Sequence, residues 1–225
     1  MTMRRELLTA LRSVIVLSVI LGLGYPLLIT GVGQGLFPGN ANGQLIKRGG
    51  VVVGSKIIGQ QFYEPVIGAG GKQVVKGGVP QTEPDPRYFQ TRPSASADNA
   101  AGTSFSNLGP NDRATLTAFQ GYIQTYLALN RAPGGTPYDP AVRSAAQVPV
   151  DAATDSASSI DPQISVANAD IQAYRVAAVR HLSLASIDRL VSRYTNPRSL
   201  GFLGEPGVNV LELNLALDRL TGSGR

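Results

Sequence analysis

A single histidine, no cysteine and no tryptophan leave this chain of 225 residues few side chains able to do chemistry. His181 stands late in a stretch of helical spacing, where a positive charge favours the helix C-terminus, and no serine or aspartate arrangement accompanies it. Gly-x-Ser-x-Gly is absent, so a Ser-His-Asp hydrolase would lack its usual nucleophile turn. Without cysteine there is no thiolate, disulfide or Cys-type zinc site, and one histidine cannot form a metal-binding cluster. Asp151, Asp155 and Asp161 lack the odd-position spacing and glycine of a calcium loop and read as caps and turns. Gly70-Gly71-Lys72-Gln73 lacks the first glycine of a phosphate loop and the Ser or Thr after its lysine. These residues predict no catalytic centre and no resident metal.

The elements that would carry any site begin with a membrane segment. Ser13 to Ile46 holds no charged side chain, and its apolar centre, 14–37, follows Arg4, Arg5 and Arg12. As a helix that centre is roughly 36 Å long, enough for a hydrocarbon core of about 30 Å. No comparable stretch follows, which predicts one span. The three arginines place residues 1–13 in the cytoplasm and 38–225 outside it. A cleaved signal peptide is the competing reading, with Gly39 and Ala41 as small residues before Asn42; the apolar region is longer than a typical signal core. Gly22, Gly24, Gly31 and Gly33 suit close packing against another membrane helix, and Pro26 predicts a kink.

The outer part reads as a single α+β domain of short strands and several helices. Its charge is dispersed: with Arg4, Arg5, Arg12 and Glu6 assigned to the other side, 17 basic and 14 acidic residues remain, without the basic run of a nucleic-acid binder. Val51 to Val53, Ile57 and Ile58 between glycines predict short strands. Residues 64–87, rich in Gly and Pro, read as a flexible loop. Asp112 caps a predicted helix to about Asn130, with Leu116, Phe119, Tyr122, Ile123 and Tyr126 as its core face. Ser165 starts another, with Ile171, Tyr174, Arg175, Ala178 and Leu182 on one face, and Ser183 a third with Ile187, Leu190 and Val191 inward. Leu211, Leu213, Leu215 and Leu217 alternate like a strand, yet Asn209 as N-cap and the leucines favour a helix.

Several short residue blocks follow one another along the chain. After Gly24-Tyr25-Pro26 and Phe37-Pro38 come Ala41-Asn42-Gly43-Gln44-Leu45-Ile46 and Gly54-Ser55-x-x-Ile58-Gly59-Gln60-x-Phe62. Then follow Tyr88-Phe89-x-x-Arg92-Pro93-Ser94-Ala95, Ser106-Asn107-Leu108-Gly109-Pro110, Asp161-Pro162-x-Ile164-Ser165 and Arg175-Val176-Ala177. The most specific block runs from Leu200-Gly201-Phe202-Leu203-Gly204-Glu205-Pro206 to Val208-Asn209-Val210-Leu211. In this order the blocks resemble the C-subunit family of Kdp-type potassium-transporting P-type ATPases. Three departures stand out: residues 64–87 look inserted, Gln163 stands where the family commonly has histidine, and Gly207 where it commonly has arginine.

The resemblance implies a non-catalytic accessory subunit of an ATP-driven potassium uptake pump in the bacterial cytoplasmic membrane. It would serve assembly and stability. Its implied partners are a channel-like K⁺-binding chain, a P-type ATPase chain, a small single-span subunit and the lipid bilayer, with no nucleic acid. ATP and K⁺ would be ligands of the whole complex. The family is described as raising the ATP affinity of the ATPase chain; this chain has no Asp-Lys-Thr-Gly phosphorylation signature and no nucleotide motif, so the expected route is coupling through the partner's conformational states. A second implied role is at the outer K⁺ entrance. Asn42, Gly59, Gln60, Arg92, Asn107, Gly109, Asp161, Arg175, Glu205 and Asn209 are the matching positions expected to contact partners or hold the fold. The alternatives from other classes are a free-standing anchored binding domain and an extracytoplasmic hydrolase.

Overall fold

A computed structural model describes residues 2–105 and 107–222, and the chain divides into two compact units, 1–53 and 54–225. In the first unit, α1 (Thr2–Val19) passes through one π turn (Ile20–Gly24) into α2 (Tyr25–Leu36), an apolar helical run from Met3 to Leu36 long enough to cross a membrane. The helix therefore starts well before residue 14, and Arg4, Arg5 and Arg12 lie on it. The π turn ends just before Tyr25-Pro26: proline cannot donate an amide, and the widened turn absorbs that loss. Short α3 (Pro38–Ala41) follows. Strands β1 (Leu45–Arg48) and β2 (Val51–Ser55) then pair across Gly49-Gly50, with the unit boundary inside β2.

In the second unit the expected loop over 64–87 is instead two nested hairpins. β3 (Tyr63–Pro65) pairs antiparallel with β6 (Thr82–Pro84), and between them β4 (Val75–Lys76) pairs with β5 (Val79–Pro80). Gly77-Gly78, both at positive φ, make the two-residue turn, and the valines beside it suit strands. Sequence reading weighed the glycines as breakers and missed that they sit at the tip of a hairpin.

The core is built by α6 (Val166–Arg180), α7 (Leu184–Arg193) and α8 (Val210–Thr221) against a sheet of order β7-β9-β8, where β7 is Gln163–Ser165, β8 Thr195–Asn196 and β9 Gly207–Asn209. Phe89, Ile164, Ile187, Val208, Leu213 and Leu217 fill it. Each helix starts where the sequence put a cap: Ser165 Oγ accepts from Asn168 N (3.1 Å), Ser183 Oγ from Ser186 N (3.3 Å) and Asn209 Oδ1 from Glu212 N (3.0 Å). Helix α4 (Arg113–Leu129) is likewise capped by Asp112, which accepts from Ala114 N at 2.7 Å. Between α4 and β7 lie a 3₁₀ turn (Ala145–Gln147) and short α5 (Val150–Ala153).

Two predicted core faces differ in the structure. On α4 only Tyr126 is buried; Leu116 is 53% exposed, because α5 and the core meet the second half of the helix alone. On α6 the inward face carries Asn168, Gln172 and Arg175 alongside the alanines, while Tyr174 and Ala178 face outward. Arg175 and Ile171 are inward as expected, while Asn168 and Gln172 are inward in addition, because the core encloses a backbone segment that needs hydrogen bonds.

Candidate functional site

That segment is 85–94, Asp-Pro-Arg-Tyr-Phe-Gln-Thr-Arg-Pro-Ser. Pro86 and Pro93 bar it from a regular sheet interior, and its buried amides and carbonyls must still be paired. Side-chain amides do this. Asn214 of α8 accepts from Phe89 N (3.0 Å) and donates to Phe89 O (2.9 Å). Gln172 of α6 accepts from Gln90 N (2.8 Å) and donates to Gln90 O (3.1 Å). Two helices thus imitate the strands the segment lacks.

Arg175 joins these pieces. Fully buried, it donates from Nε to Pro86 O (3.1 Å), from one terminal nitrogen to Asn130 Oδ1 (2.7 Å), and from the other to Tyr88 O (2.7 Å) and Gln172 Oε1 (2.9 Å). All four acceptors are neutral oxygens. Burial lowers its pKa to about 10, with Tyr126, Tyr138 and Asp85 opposing, so it stays charged at neutral pH. Nearby, Tyr88 donates its hydroxyl to Asp218 (3.0 Å), Arg180 pairs with the same carboxylate at 3.0 Å, and the Arg180 guanidinium lies 4.5 Å from the centre of the Tyr88 ring. Burial and this carboxylate raise the Tyr88 pKa.

Toward the surface, Arg92 pairs with Asp161 (3.0 Å) and donates to Asp155 O (3.0 Å). Gly59 lies between: its amide donates to Ile160 O (2.8 Å), and a Cβ there would stand 2.6 Å from Asp161 O. No larger residue fits without moving backbone. Asp98 accepts from Thr91 Oγ1 (3.0 Å), and burial pushes its carboxyl up to about 6, with Asp161 adding repulsion. Beside this cluster is a cleft of about 150 Å³ walled by Tyr63, Tyr122 and Tyr126, with Gln90, Arg92 and Gln172 among its polar lining. Gln90 Oε1 and Arg92 Nε are buried without a protein partner. The cleft offers phenols, hydroxyls, amides and a guanidinium, but no nucleophile beside a base; His181 is exposed at the end of α6. Among the described residues no three His, Asp or Glu side chains converge as a metal site.

The other predicted positions are spread out. Asn209, besides capping α8, donates to Lys56 O (2.8 Å). Gln60 is exposed, with Oε1 close to Gly54. Gly109 O accepts from Thr115 Oγ1 (3.1 Å), and Asn107 adopts φ 54° on the surface; Ser106 of the same block lies outside the described residues. Glu205 pairs with Arg198 at 2.6 Å on an exposed loop. In the first unit Asn42 bonds Gln34 (2.9 Å) and Pro38 O (2.7 Å) behind the long helix, along which Gly22, Gly24 and Gly31 are exposed and Gly33 is half-buried. Sequence reasoning missed Gln172, Asn214 and Asp218; the available signal was polar residues at helical spacing among leucines and alanines, Asn168 and Gln172 on α6 and Asn214 and Asp218 on α8.

A family of sequences described as "K+-transporting ATPase, c chain" matches residues 7–219. The chain belongs to this KdpC family. Relatives named potassium-transporting ATPase KdpC subunit include those of Mycobacterium tuberculosis, 44% identical over 97% of this chain and 100% of the relative, and Methylococcus capsulatus, 46% identical over 94% and 96%. That of Streptomyces coelicolor is 42% identical over 100% and 97%. As a KdpC chain it is a subunit of a multi-subunit potassium-transporting ATPase, which implies partner chains, and its one apolar N-terminal helix fits a single-pass membrane protein. Gln163 and Gly207 lie side by side: a Cβ on Gly207 would meet Gln163 Oε1 at 2.7 Å, so the side chain at 163 occupies the space a larger residue at 207 would need.

Proposed function

We propose that the chain is a non-catalytic accessory subunit of an ATP-driven potassium uptake pump, anchored by one helix with its N-terminus in the cytoplasm and its second unit outside. The observation that carries this reading is the family match across residues 7–219, anchor and second unit alike. Orientation rests on Arg4, Arg5 and Arg12 ahead of the apolar run, which lies in the bacterial cytoplasmic membrane. The soluble unit serves assembly with a channel-like chain and a P-type ATPase chain. It modulates the ATPase chain by favouring one of that partner's conformational states, so nucleotide affinity responds without a shared nucleotide site.

Affinity purification of the full tagged chain from gently solubilised membranes tests the subunit reading: the expected result is a stoichiometric complex with K⁺-stimulated ATP hydrolysis. Recovery of the chain alone, while other membrane complexes survive, rejects it. Orientation is tested with single cysteines, since the chain has none: Thr136→Cys should react with an impermeant maleimide in intact cells and Glu6→Cys only after lysis. The reverse pattern would overturn the topology.

A further inference from the structure

No aspartate or glutamate stands between Glu6 and Glu64. The first part of that stretch is the long apolar helix, and the part past Phe37 holds the β1–β2 hairpin with Lys47 and Arg48. The hairpin is fastened to the end of the helix. Gln34 and Asn42 exchange side-chain hydrogen bonds at 3.3 and 2.9 Å, Ala41 N donates to Phe37 O (2.9 Å), and Gln44 N donates to Gly39 O (2.9 Å) just ahead of β1. Helix, turn and hairpin as far as Val53 belong to one compact unit. Gly49 and Gly50, both at positive φ, close the hairpin as a two-residue turn. Among the described residues 45–53 none is buried: Leu45 is 52% exposed, Val51 67% and Val52 49%. A two-stranded hairpin on its own is marginally stable in water and needs apolar surroundings. Successive strand residues point to opposite faces, so Val51 and Val52 leave apolar surface on both sides of this ribbon.

We propose that the β1–β2 hairpin is a membrane-surface element seated in the headgroup layer of an anionic bilayer, with Leu45, Val51 and Val52 against the upper acyl chains and Lys47 and Arg48 at lipid phosphates. The bilayer is the occupant because the chain delivers the hairpin to it. The apolar centre 14–37 ends at Phe37, and β1 begins eight residues later, after one short helix bonded back to the span. Apolar surface on both faces suits a medium that surrounds the ribbon, whereas a protein partner would cover one side. Charge agrees: from Phe37 to Val53 the only charged residues are Lys47 and Arg48, and basic residues beside a span are drawn to anionic headgroups. Their aliphatic stems lie along apolar surface while the charged ends reach outward, the arrangement of leucine with Lys and Arg found in elements that lie in the interface. The proposal rests on the apolar run spanning the membrane, and is independent of which chains the subunit joins.

The test uses the full chain, which has no cysteine of its own, in vesicles of phosphatidylcholine and phosphatidylglycerol. A nitroxide is attached at Val52→Cys, with Leu45→Cys as a second site should the first disturb the strand, and at Leu23→Cys within the span. Collisions with oxygen, which partitions into lipid, are compared with those of a water-soluble nickel chelate. The hairpin labels are expected to favour oxygen, at a depth between lipids labelled on the headgroup and lipids labelled near the top of the acyl chain. Free access of the chelate to both hairpin labels, or shielding from both reagents as in a protein contact, would overturn the proposal. The span reading stands in either case as long as the label at 23 reports the hydrocarbon interior; a label there in water would overturn both. Lys47→Gln combined with Arg48→Gln should lower the ratio of seated to released label by roughly tenfold or more, and omitting phosphatidylglycerol should do the same to the unsubstituted pair. An unchanged ratio in both would overturn the assignment of Lys47 and Arg48 to lipid phosphates.

Discussion

Segment 85–94 and hairpin 197–206 are both irregular in backbone, both marked by tight residue blocks, and both placed next to strands or helices of the same core. Their energetics are opposite. In the first, every buried amide and carbonyl discussed is matched by Asn214, Gln172 or Arg175, and each orphaned group would cost about 1–3 kcal/mol. In the second, Leu200, Phe202 and Leu203 stay in water and Leu200 occupies a left-handed conformation that costs about 1–2 kcal/mol. One block holds the fold together and the other burdens it. A residue block marks constraint of either kind; burial separates them.

The comparison can be broken most severely at Arg175. Arg175→Met removes one partner from each of four buried oxygens and, at about 1 kcal/mol or more for each, should cost about 4 kcal/mol, read as lost accumulation of the chain or a lower guanidinium midpoint by tyrosine emission. Arg175→Lys should recover only part of this, since an ammonium cannot span the same acceptors. Asn214→Leu keeps the branched outline but orphans Phe89 N–H and C=O, and a loss of about 2–4 kcal/mol is expected. A change below about 1 kcal/mol in either variant would show that the segment is paired by water instead.

A pH experiment sharpens the same contrast. Because burial raises Asp98 from 3.8 to about 6, the native state binds its proton more tightly than the unfolded chain does. Stability contributed by this group therefore falls as pH rises from about 4 to 6 and stays level above. Asp98→Asn should flatten that part of the stability profile, while variants of the hairpin leave it unchanged.

The smallest effects belong to the hairpin. Leu200→Gly should leave the stability of the chain unchanged or raise it by up to about 1 kcal/mol, by relieving the left-handed leucine. Phe202→Ser should stay within about 0.5 kcal/mol, as expected for an exposed residue. A loss of 2 kcal/mol or more in either would mean that the tip packs on the fold.

Capping chemistry made the helices legible: Asp112, Ser165, Ser183 and Asn209 start helices because short polar side chains satisfy first-turn amides wherever they stand. The apolar centre 14–37 was equally plain, since charge-free length is a property of the chain alone, whereas the helical start at Thr2, ahead of Arg4, Arg5 and Arg12, was not. The nested hairpins over 63–84 were hidden because Gly and Pro signal turns without saying whether the flanks pair. On α6 Ile171 and Arg175 were placed correctly but Tyr174 and Ala178 were not, and Asn168 and Gln172 were missed, because periodicity counts apolar residues whereas these polar side chains are buried to bond groups such as Gln90 N and O, 82 positions away.

Sequence alone thus determined the anchor, the helix starts, the absence of thiol chemistry and the family, all of which depend on composition or on neighbours along the chain. Only tertiary structure decided that Arg175 is a structural hub with neutral partners and that Gln163 fills the space beside Gly207. It also decided that Leu200, Phe202 and Leu203 face water. Those are questions of which distant groups share one desolvated space, and local pattern does not encode them because hydrogen bonding and burial are settled only when the chain closes on itself.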